Sequence, residues 1–150
     1  ASDLYTEPPV NFVSHKHIID GKQILEIVIE KSDERPHLAP DEKGNMKAFV
    51  RVDDQNLLAN GVLINVWKQE KKETGVRVEY SEAEKFILTY LSKNKSITFS
   101  KFCKSAKIEH TYAKKILTDF IILKLIDIVI TDKMICYKLN SESQINLDFK

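Results

Sequence analysis

The stretch KSAKIEHTYAKKIL, residues 104–117, combines the apolar spacing of a helix with a concentration of lysines. Apolar residues in and after it recur at intervals of three and four, which predicts a helix from about residue 109 to residue 123. The Lys-Ile pair before this helix predicts a tight turn, preceded by the end of another helix. The residues expected to face the core are Ala113, Ile116, Leu117, Phe120 and Leu123.

The segments on either side extend this stretch into a larger motif. Upstream, Ser81 and Glu84 form a capping-box pattern at the start of a helix. A short extended segment follows, and Thr98 is a suitable cap for a second helix through about residue 106. Downstream, IDIVIT and MICYKL flank a short turn and predict a β-hairpin. We predict a winged helix-turn-helix for residues 76–150, because such a domain has this order of elements: helix, strand, helix, turn, helix and hairpin.

The first half of the chain predicts β-structure. Two segments, residues 10–19 and 22–30, are joined by Asp20-Gly21, a strong signal for a two-residue hairpin turn. The fold class predicted is therefore α+β, with a small antiparallel β-unit over residues 1–75 before the winged helix. The other elements expected in this half are a loop at 31–45, a third strand at 46–52, one helical turn at 53–60, a fourth strand or short extended segment at 61–68 and a polar linker at 69–75.

Composition limits the class of protein. Of 150 residues, 43% are hydrophobic and 30% are charged, which is typical of a folded chain. No apolar run approaches the roughly 20 residues of a membrane-spanning helix. The N-terminus lacks the basic and apolar regions of a signal peptide. The two cysteines, Cys103 and Cys136, have no metal-ligand spacing, so we expect core residues in a reducing, cytoplasmic setting.

The charge is unevenly distributed along the chain. Residues 1–80 hold 11 basic and 14 acidic residues, a net of −3, whereas residues 81–150 hold 12 and 8, a net of +4. Between Lys93 and Lys115 there are seven lysines and one acid, Glu109. Such clustering indicates an anionic partner for the second half.

The outward face of the predicted third helix supplies the candidate contacts to nucleic acid. In a helix-turn-helix this face enters the major groove, where lysine contacts guanine or phosphate and threonine contacts phosphate or a thymine methyl. The residues expected to face the groove are His110, Thr111, Lys114, Lys115 and Thr118. Those expected to contact phosphates are Lys101, Lys104 and Lys107.

A second interpretation assigns the lysines to solvent and the winged helix to contacts with protein. Glu109 lies where a phosphate would otherwise meet the helix N-terminus. The predicted hairpin turn offers only Lys133 beside Asp132, a weak basic wing. These features leave a docking or dimerisation module as the alternative function.

Patterns that would indicate catalysis, a metal or a cofactor are missing from the sequence. His15 and His17 fall on one face of a strand, but a third metal ligand is not evident. Four glycines without a phosphate-cradling cluster argue against a nucleotide-binding loop. We therefore expect neither catalysis nor a bound cofactor.

Residues 24–59 carry a resemblance to a known family. An apolar strand is followed by Arg35-Pro36-His37, an acidic-Gly turn, then Phe49-Val50-Arg51 and a polar turn ending in Ala59. This order resembles the second half of the AlbA-like DNA-binding domain also found in Schlafen proteins, whose bacterial members often continue into a winged helix. The resemblance implies a transcriptional regulator or other nucleic-acid-binding protein. Arg35, His37 and Arg51 match its motif, although pairing of Arg51 with Asp53 or Asp54 would explain that residue structurally.

The segments that open the domain in this family have no counterpart here. Its members begin with an acidic and basic segment and an Asn-Thr-x-Gly-Gly turn, neither of which is in the sequence. We therefore expect the chain to correspond to the C-terminal half of the domain. That leaves an exposed strand edge or apolar face in residues 1–75, which predicts a homodimer. The remaining alternative, a regulatory piece of an enzyme, would require an active site outside this sequence.

Overall fold

The computed structural model describes residues 5–72, 80–131 and 133–141. Within them lie four helices and several small antiparallel sheets, so the predicted α+β class is confirmed. The chain divides into two compact units, one through Phe49 and the other from Val50 onward. Each unit is described by itself below.

A β-hairpin is the longest element of the first unit. Strands β1 (Val13–Ile19) and β2 (Lys22–Val28) are antiparallel, with Val13 opposite Val28 and Ile19 opposite Lys22. The turn residues Asp20 and Gly21 have φ values of 51° and 71°. Positive φ at both central positions is the type I′ geometry that matches strand twist. The hairpin predicted at Asp20-Gly21 is therefore confirmed.

A second small sheet joins the segment predicted as a loop to the start of the predicted third strand. Strands β3 (Ala39–Pro40) and β4 (Met46–Lys47) are antiparallel around a turn held by Asp41. The Asp41 carboxylate accepts hydrogen bonds from the backbone N–H of Asn45 and pairs with Lys47 Nζ at 2.7 Å. The Lys47 ammonium and the Asn45 amide hold the pKa of Asp41 well below its usual value. The turn therefore keeps this support at neutral pH and loses it as the carboxylate is protonated in strong acid.

Residues 53–68 differ from both predictions made for them. The expected helical turn is wrong, because β6 (Gln55–Leu58) pairs with β5 (Phe49–Val52) across Asp53-Asp54. The expected fourth strand is also wrong, because this segment is helix α1 (Gly61–Gln69). Its β-branched residues suggested a strand, but Val62, Leu63 and Val66 fall on one helical face and are buried.

The second unit continues with the elements predicted after residue 80. Helix α2 begins with the predicted capping box, in which the Ser81 N–H donates to Glu84 Oε2 at 2.7 Å. Thr98 caps α3 as predicted, by accepting a hydrogen bond from the Lys101 N–H. The bounds are α2 (Glu82–Lys93), β7 (Ile97–Thr98), α3 (Phe99–Ala106), α4 (His110–Ile122), β8 (Ile126–Ile130) and β9 (Ile135–Leu139).

These elements surround one hydrophobic core. The three-stranded sheet has the order β7-β9-β8, so the short first strand pairs with the last. Four of the five residues expected on the core face of α4 are buried, but Leu123 is an exposed C-cap residue. Both cysteines are free and buried. The large side chains that are almost fully buried are Tyr137, Phe102, Phe120, Ile87, Ile97, Ile116, Leu117 and Ile126.

Helix α1 belongs to the second unit, because it packs against α4. The division of the chain at residue 49 therefore precedes the boundary predicted at residue 75. Asn60 holds α1 in place. Its side-chain oxygen caps the helix by accepting from the Leu63 N–H at 3.0 Å, and its Nδ2 donates to the Tyr137 hydroxyl at 2.9 Å. Of the predicted linker, residues 73–75 lie outside the described part of the chain.

Replacing Asn60 separates its two roles. We expect Asn60→Ala to lower the free energy of unfolding by about 1–3 kcal/mol, because it removes both the cap and the partner of a buried hydroxyl. Asn60→Ser is the matched control, since serine caps well but is too short to reach Tyr137. Urea unfolding should rank the stabilities as wild type, then Ser, then Ala. Equal stability of the three proteins would contradict this account.

Candidate nucleic-acid interface

The start of α4 presents the exposed part of the predicted recognition helix. Glu109 is its N-cap residue, and His110, Thr111 and Tyr112 are exposed in its first turn. The His110 ring lies 5.6 Å from the Phe99 ring at the start of α3. This contact fixes the approach of the two helices and leaves Thr111 facing solvent. His110 and Thr111 thus lie where a helix-turn-helix would contact DNA.

The two adjacent lysines of α4 are less available than the sequence suggested. Lys115 is exposed, but its Nζ forms a 2.8 Å ion pair with Asp119, whose side chain is largely buried. Lys114 is only partly exposed, and its stem lies over Gly61 at the start of α1. A Cβ placed on Gly61 would come within 2.8 Å of Lys114 Cε. Glycine at this position therefore leaves room for the lysine stem between α1 and α4.

The prediction that Thr118 faces a DNA groove is wrong. Thr118 is fully buried, and its Oγ1 donates to the Lys114 carbonyl oxygen at 2.8 Å. The residue lies one turn beyond Lys114, on a side of α4 against which α1 packs. Helical spacing placed Thr118 outside the apolar stripe, but it did not reveal that another helix covers this side. Of the five residues predicted to face the groove, three are exposed (His110, Thr111 and Lys115), Lys114 is partly exposed and Thr118 is buried.

The three lysines predicted to contact phosphates, Lys101, Lys104 and Lys107, are exposed on or after α3. Lys107, the C-cap residue of α3, has a φ of 52° in the turn that leads to α4. Lys104 lies on the last turn of the same helix. Lys101 instead lies toward α2, with its Nζ 5.2 Å from the centre of the Tyr90 ring. Because Lys101 lies toward α2, Lys104 and Lys107 are the two lysines of this group left beside the exposed start of α4.

The tip of the β8–β9 hairpin carries little positive charge. The Thr131 N–H donates to the Met134 carbonyl oxygen at 3.0 Å, which closes the turn. Lys133 and Met134 are exposed there, while Asp132 lies outside the described residues. A groove of about 450 Å³ beside this tip is lined by Leu57, Leu58, Lys133 and Met134 among others. Apolar side chains therefore surround the one described lysine of the tip.

The three residues that matched the family motif have structural surroundings of their own. His37 Nδ1 donates to the Pro8 carbonyl oxygen at 2.8 Å, beside a bridge between residues 7 and 38. Arg51 contacts Asp54 at 3.6 Å and Asn56 at 3.3 Å. Pairing of Arg51 with Asp54, one of the two partners expected, is confirmed. Arg35 is half-buried beside the groove that contains His37.

The described residues bring together no group of three or more His, Cys, Asp or Glu side chains able to hold a metal ion. His15 and His17 are neighbours, with ring centres 6.4 Å apart, and His17 bonds to Glu26 at 3.0 Å. In the core, burial raises the pKa of Tyr137 to about 12 and also raises the pKa of the Cys103 thiol. Both groups are held in their protonated forms at neutral pH.

Comparison with known proteins gives no family for this chain. No protein-family model matches it, and no curated protein or solved structure is significantly similar. Among the described helices, none is long and apolar enough to cross a membrane.

Two threonines of α4 test the placement of this surface. We expect Thr118→Glu to lower the free energy of unfolding by more than about 3 kcal/mol, because it buries an unpaired charge. Thr111→Glu, the matched change on the exposed first turn, should alter it by less than about 0.5 kcal/mol. Urea unfolding of both variants gives the comparison. Equal effects of the two substitutions on stability would place Thr118 in solvent after all.

Proposed function

We propose that residues 81–139 form a winged helix that binds duplex DNA through the turn before α4, as part of a transcriptional regulator. Two features support the fold assignment. The elements follow the winged-helix order, and the sheet order β7-β9-β8 pairs the first short strand with the second strand of the hairpin. The proposal involves no catalysis.

The observation that carries the proposal is the exposure of Lys104, Lys107, His110 and Thr111 around the turn before α4, where the N-cap residue Glu109 is the one acidic side chain of residues 104–111. Among the described residues, neither Lys104 nor Lys107 is ion-paired with a carboxylate. Unpaired lysines beside the start of a helix suit the phosphate backbone, since ammonium groups neutralise it and release counterions. With Thr118 buried and the stem of the first α4 lysine against α1, few side chains are left to contact bases. We therefore expect binding that depends more on phosphates than on sequence.

Docking of protein is the second candidate function. The partial covering of Lys114 and the full burial of Thr118 favour it, because they leave fewer polar side chains on the outward face of α4 to contact DNA. In this alternative the lysines before α4 only keep the surface hydrated. Their substitution would then leave DNA binding weak and unchanged.

The β1–β2 hairpin leads us to infer a homodimer. Every residue of both strands is exposed. Both faces of the hairpin carry exposed aliphatic side chains. One face carries Ile18, Leu25 and Ile27, with exposed fractions of 77%, 57% and 53%, beside Lys16. The other carries Val13, Ile19, Ile24 and Val28 around the polar His17–Glu26 pair. An isolated two-stranded hairpin is marginally stable in water, and contiguous exposed apolar surface marks an interaction site. We assign the face of Leu25 and Ile27, which lacks the His17–Glu26 pair, to a second copy of the chain.

We also propose that residues 24–59 are related to the second half of AlbA-like domains, which would agree with a role in DNA binding. The two free, buried cysteines agree with a reducing, cytoplasmic setting.

Neutralising the turn before α4 tests DNA binding. We expect the double substitution Lys104→Gln/Lys107→Gln to weaken binding to random duplex DNA, because it removes two ammonium groups that would neutralise phosphates. The negative slope of log affinity against log salt should become shallower by about 0.9 for each phosphate that is no longer neutralised. Fluorescence anisotropy over a salt series measures both quantities.

The matched control for this test removes two lysines elsewhere in the second unit. Lys68→Gln/Lys138→Gln changes the net charge equally, at exposed positions on α1 and β9. This pair should leave the salt slope close to that of the wild type. Absence of DNA binding by the wild type, or equal effects of the two pairs, would reject the proposed interface.

Charged substitutions on the hairpin test the homodimer. We expect Leu25→Lys/Ile27→Lys to convert a dimer to a monomer, because the added ammonium groups would be desolvated in the interface. Ile24→Lys/Val28→Lys makes the same change on the opposite face and should leave the dimer intact. Multi-angle light scattering measures the masses. A monomeric wild type at high concentration would refute the inference.

A further inference from the structure

A groove of about 800 Å³ runs along the exposed side of α2. Its other wall is formed by the end of α3 and the start of α4. The lining extends from Ser81, before the first residue of α2, to Asn94, after its last. Twelve residues of helix span about 18 Å at 1.5 Å per residue. The groove is therefore long enough to hold about three turns of another helix.

The floor of the groove is apolar and aromatic. The Phe86 ring lies 5.9 Å from the Tyr90 ring and stacks on the buried Phe102 ring at 6.4 Å. Tyr112 contributes from the first turn of α4. Its hydroxyl donates to Ser81 Oγ at 3.0 Å, which ties this wall to the start of α2. The aromatic side chains are thus anchored to the core and present a preformed apolar surface.

Basic side chains outnumber acidic ones at the rim of the groove. Lys85 and Lys93 line it, and Lys101, which is not a lining residue, holds its Nζ 5.2 Å from the centre of the Tyr90 ring. Glu82 is the one carboxylate among the described lining residues, and Lys85 already pairs with it at 3.0 Å. Lys93 and Lys101 are left to act on a ligand. Charges of this sign beside an apolar floor select a partner with acidic flanks.

We propose that this groove docks an acidic amphipathic helix of about three turns from a partner protein. The apolar face of that helix, with anchors at positions i, i+4 and i+7, would cover Phe86, Tyr90 and Tyr112. Its Asp and Glu residues would pair with Lys93 and Lys101. Two features distinguish such a helix from a nucleic acid as the occupant. The floor offers apolar rings, and the lysines flank it at two points without forming a continuous track.

This groove uses other side chains than the surface proposed to contact DNA, but the two surfaces adjoin, because Ser105, Ala106 and Ile108 of its lining lie next to Lys104 and Lys107 in the chain. Tyr112 lies toward α2, whereas Thr111, its neighbour on α4, is exposed to solvent. Lys101 lies toward Tyr90, whereas Lys107 lies in the turn before α4. The groove can therefore be tested whether or not the chain binds DNA.

The test uses three fluorescein-labelled synthetic peptides and the intact chain. The first is a helical peptide with Leu at i, i+4 and i+7 and Glu on both flanks. The second replaces each Glu with Lys, and the third scrambles the first so that no apolar face forms. Anisotropy should show binding of the acidic amphipathic peptide only. Its affinity should decrease with salt, because the rim charges contribute.

Two matched variants locate the binding. Thr89 is exposed and lines the groove, so Thr89→Glu should weaken binding of the acidic peptide by roughly tenfold or more, through repulsion and desolvation. Ser92 is exposed on the same helix but does not line the groove, so Ser92→Glu should leave the affinity unchanged. Thermal unfolding of each variant checks that the fold is retained.

Three outcomes would overturn the proposal. The first is failure of the acidic amphipathic peptide to bind, and the second is equal binding of its scrambled version. The third is displacement of the peptide by random duplex DNA, together with loss of that displacement in the Thr89→Glu variant. This result would make the groove a nucleic-acid site. If Lys104→Gln/Lys107→Gln abolishes DNA binding and leaves peptide binding unchanged, the two surfaces act independently, as proposed.

Discussion

Asn60 joins two distant elements of the second unit through one side chain. Its oxygen caps α1, and its nitrogen donates to the hydroxyl of Tyr137, which lies fully buried on β9. Because the cap fixes where α1 begins, Gly61 comes to lie against the stem of Lys114 on α4. The position of α1 in turn determines how much of α4 is open to a partner. The polar side chain of Asn60 thus links the helix that partly covers α4 to the sheet.

The lysines that cluster in the sequence around α3 and α4 are not equally available to a partner in the structure. Seven lysines between residues 93 and 115 form one group in the sequence, but in the structure they have different surroundings. Lys115 is paired with an aspartate, Lys114 packs over a glycine, and Lys101 lies over an aromatic ring. Lys104 and Lys107 remain exposed beside the start of the helix. A local charge count therefore overstates the basic surface available to DNA.

The second unit presents two surfaces of different chemistry, and the first unit presents a third. The turn before α4 is basic, while the groove along α2 has an aromatic floor between charged rims. In the first unit, the β1–β2 hairpin exposes aliphatic side chains on a sheet face. The partners that we propose for these surfaces are phosphates, an acidic helix and a second copy of the chain. This division would let one small chain combine DNA binding with assembly.

The sequence by itself determined the elements whose signals are local. The Asp20-Gly21 turn, the Ser81–Glu84 capping box, the Thr98 cap and the apolar stripe of α4 were all predictable, because turn chemistry and helical spacing act over a few residues. Residues 53–68 were not, since the β-branched residues of α1 favour a strand until their burial against α4 stabilises a helix. The same distant contact buries Thr118 and moves Lys114 away from the outward face. Tertiary structure alone decided which candidate contacts remain exposed, because the covering helix is far away in the chain and leaves no periodic signal at the residues it covers.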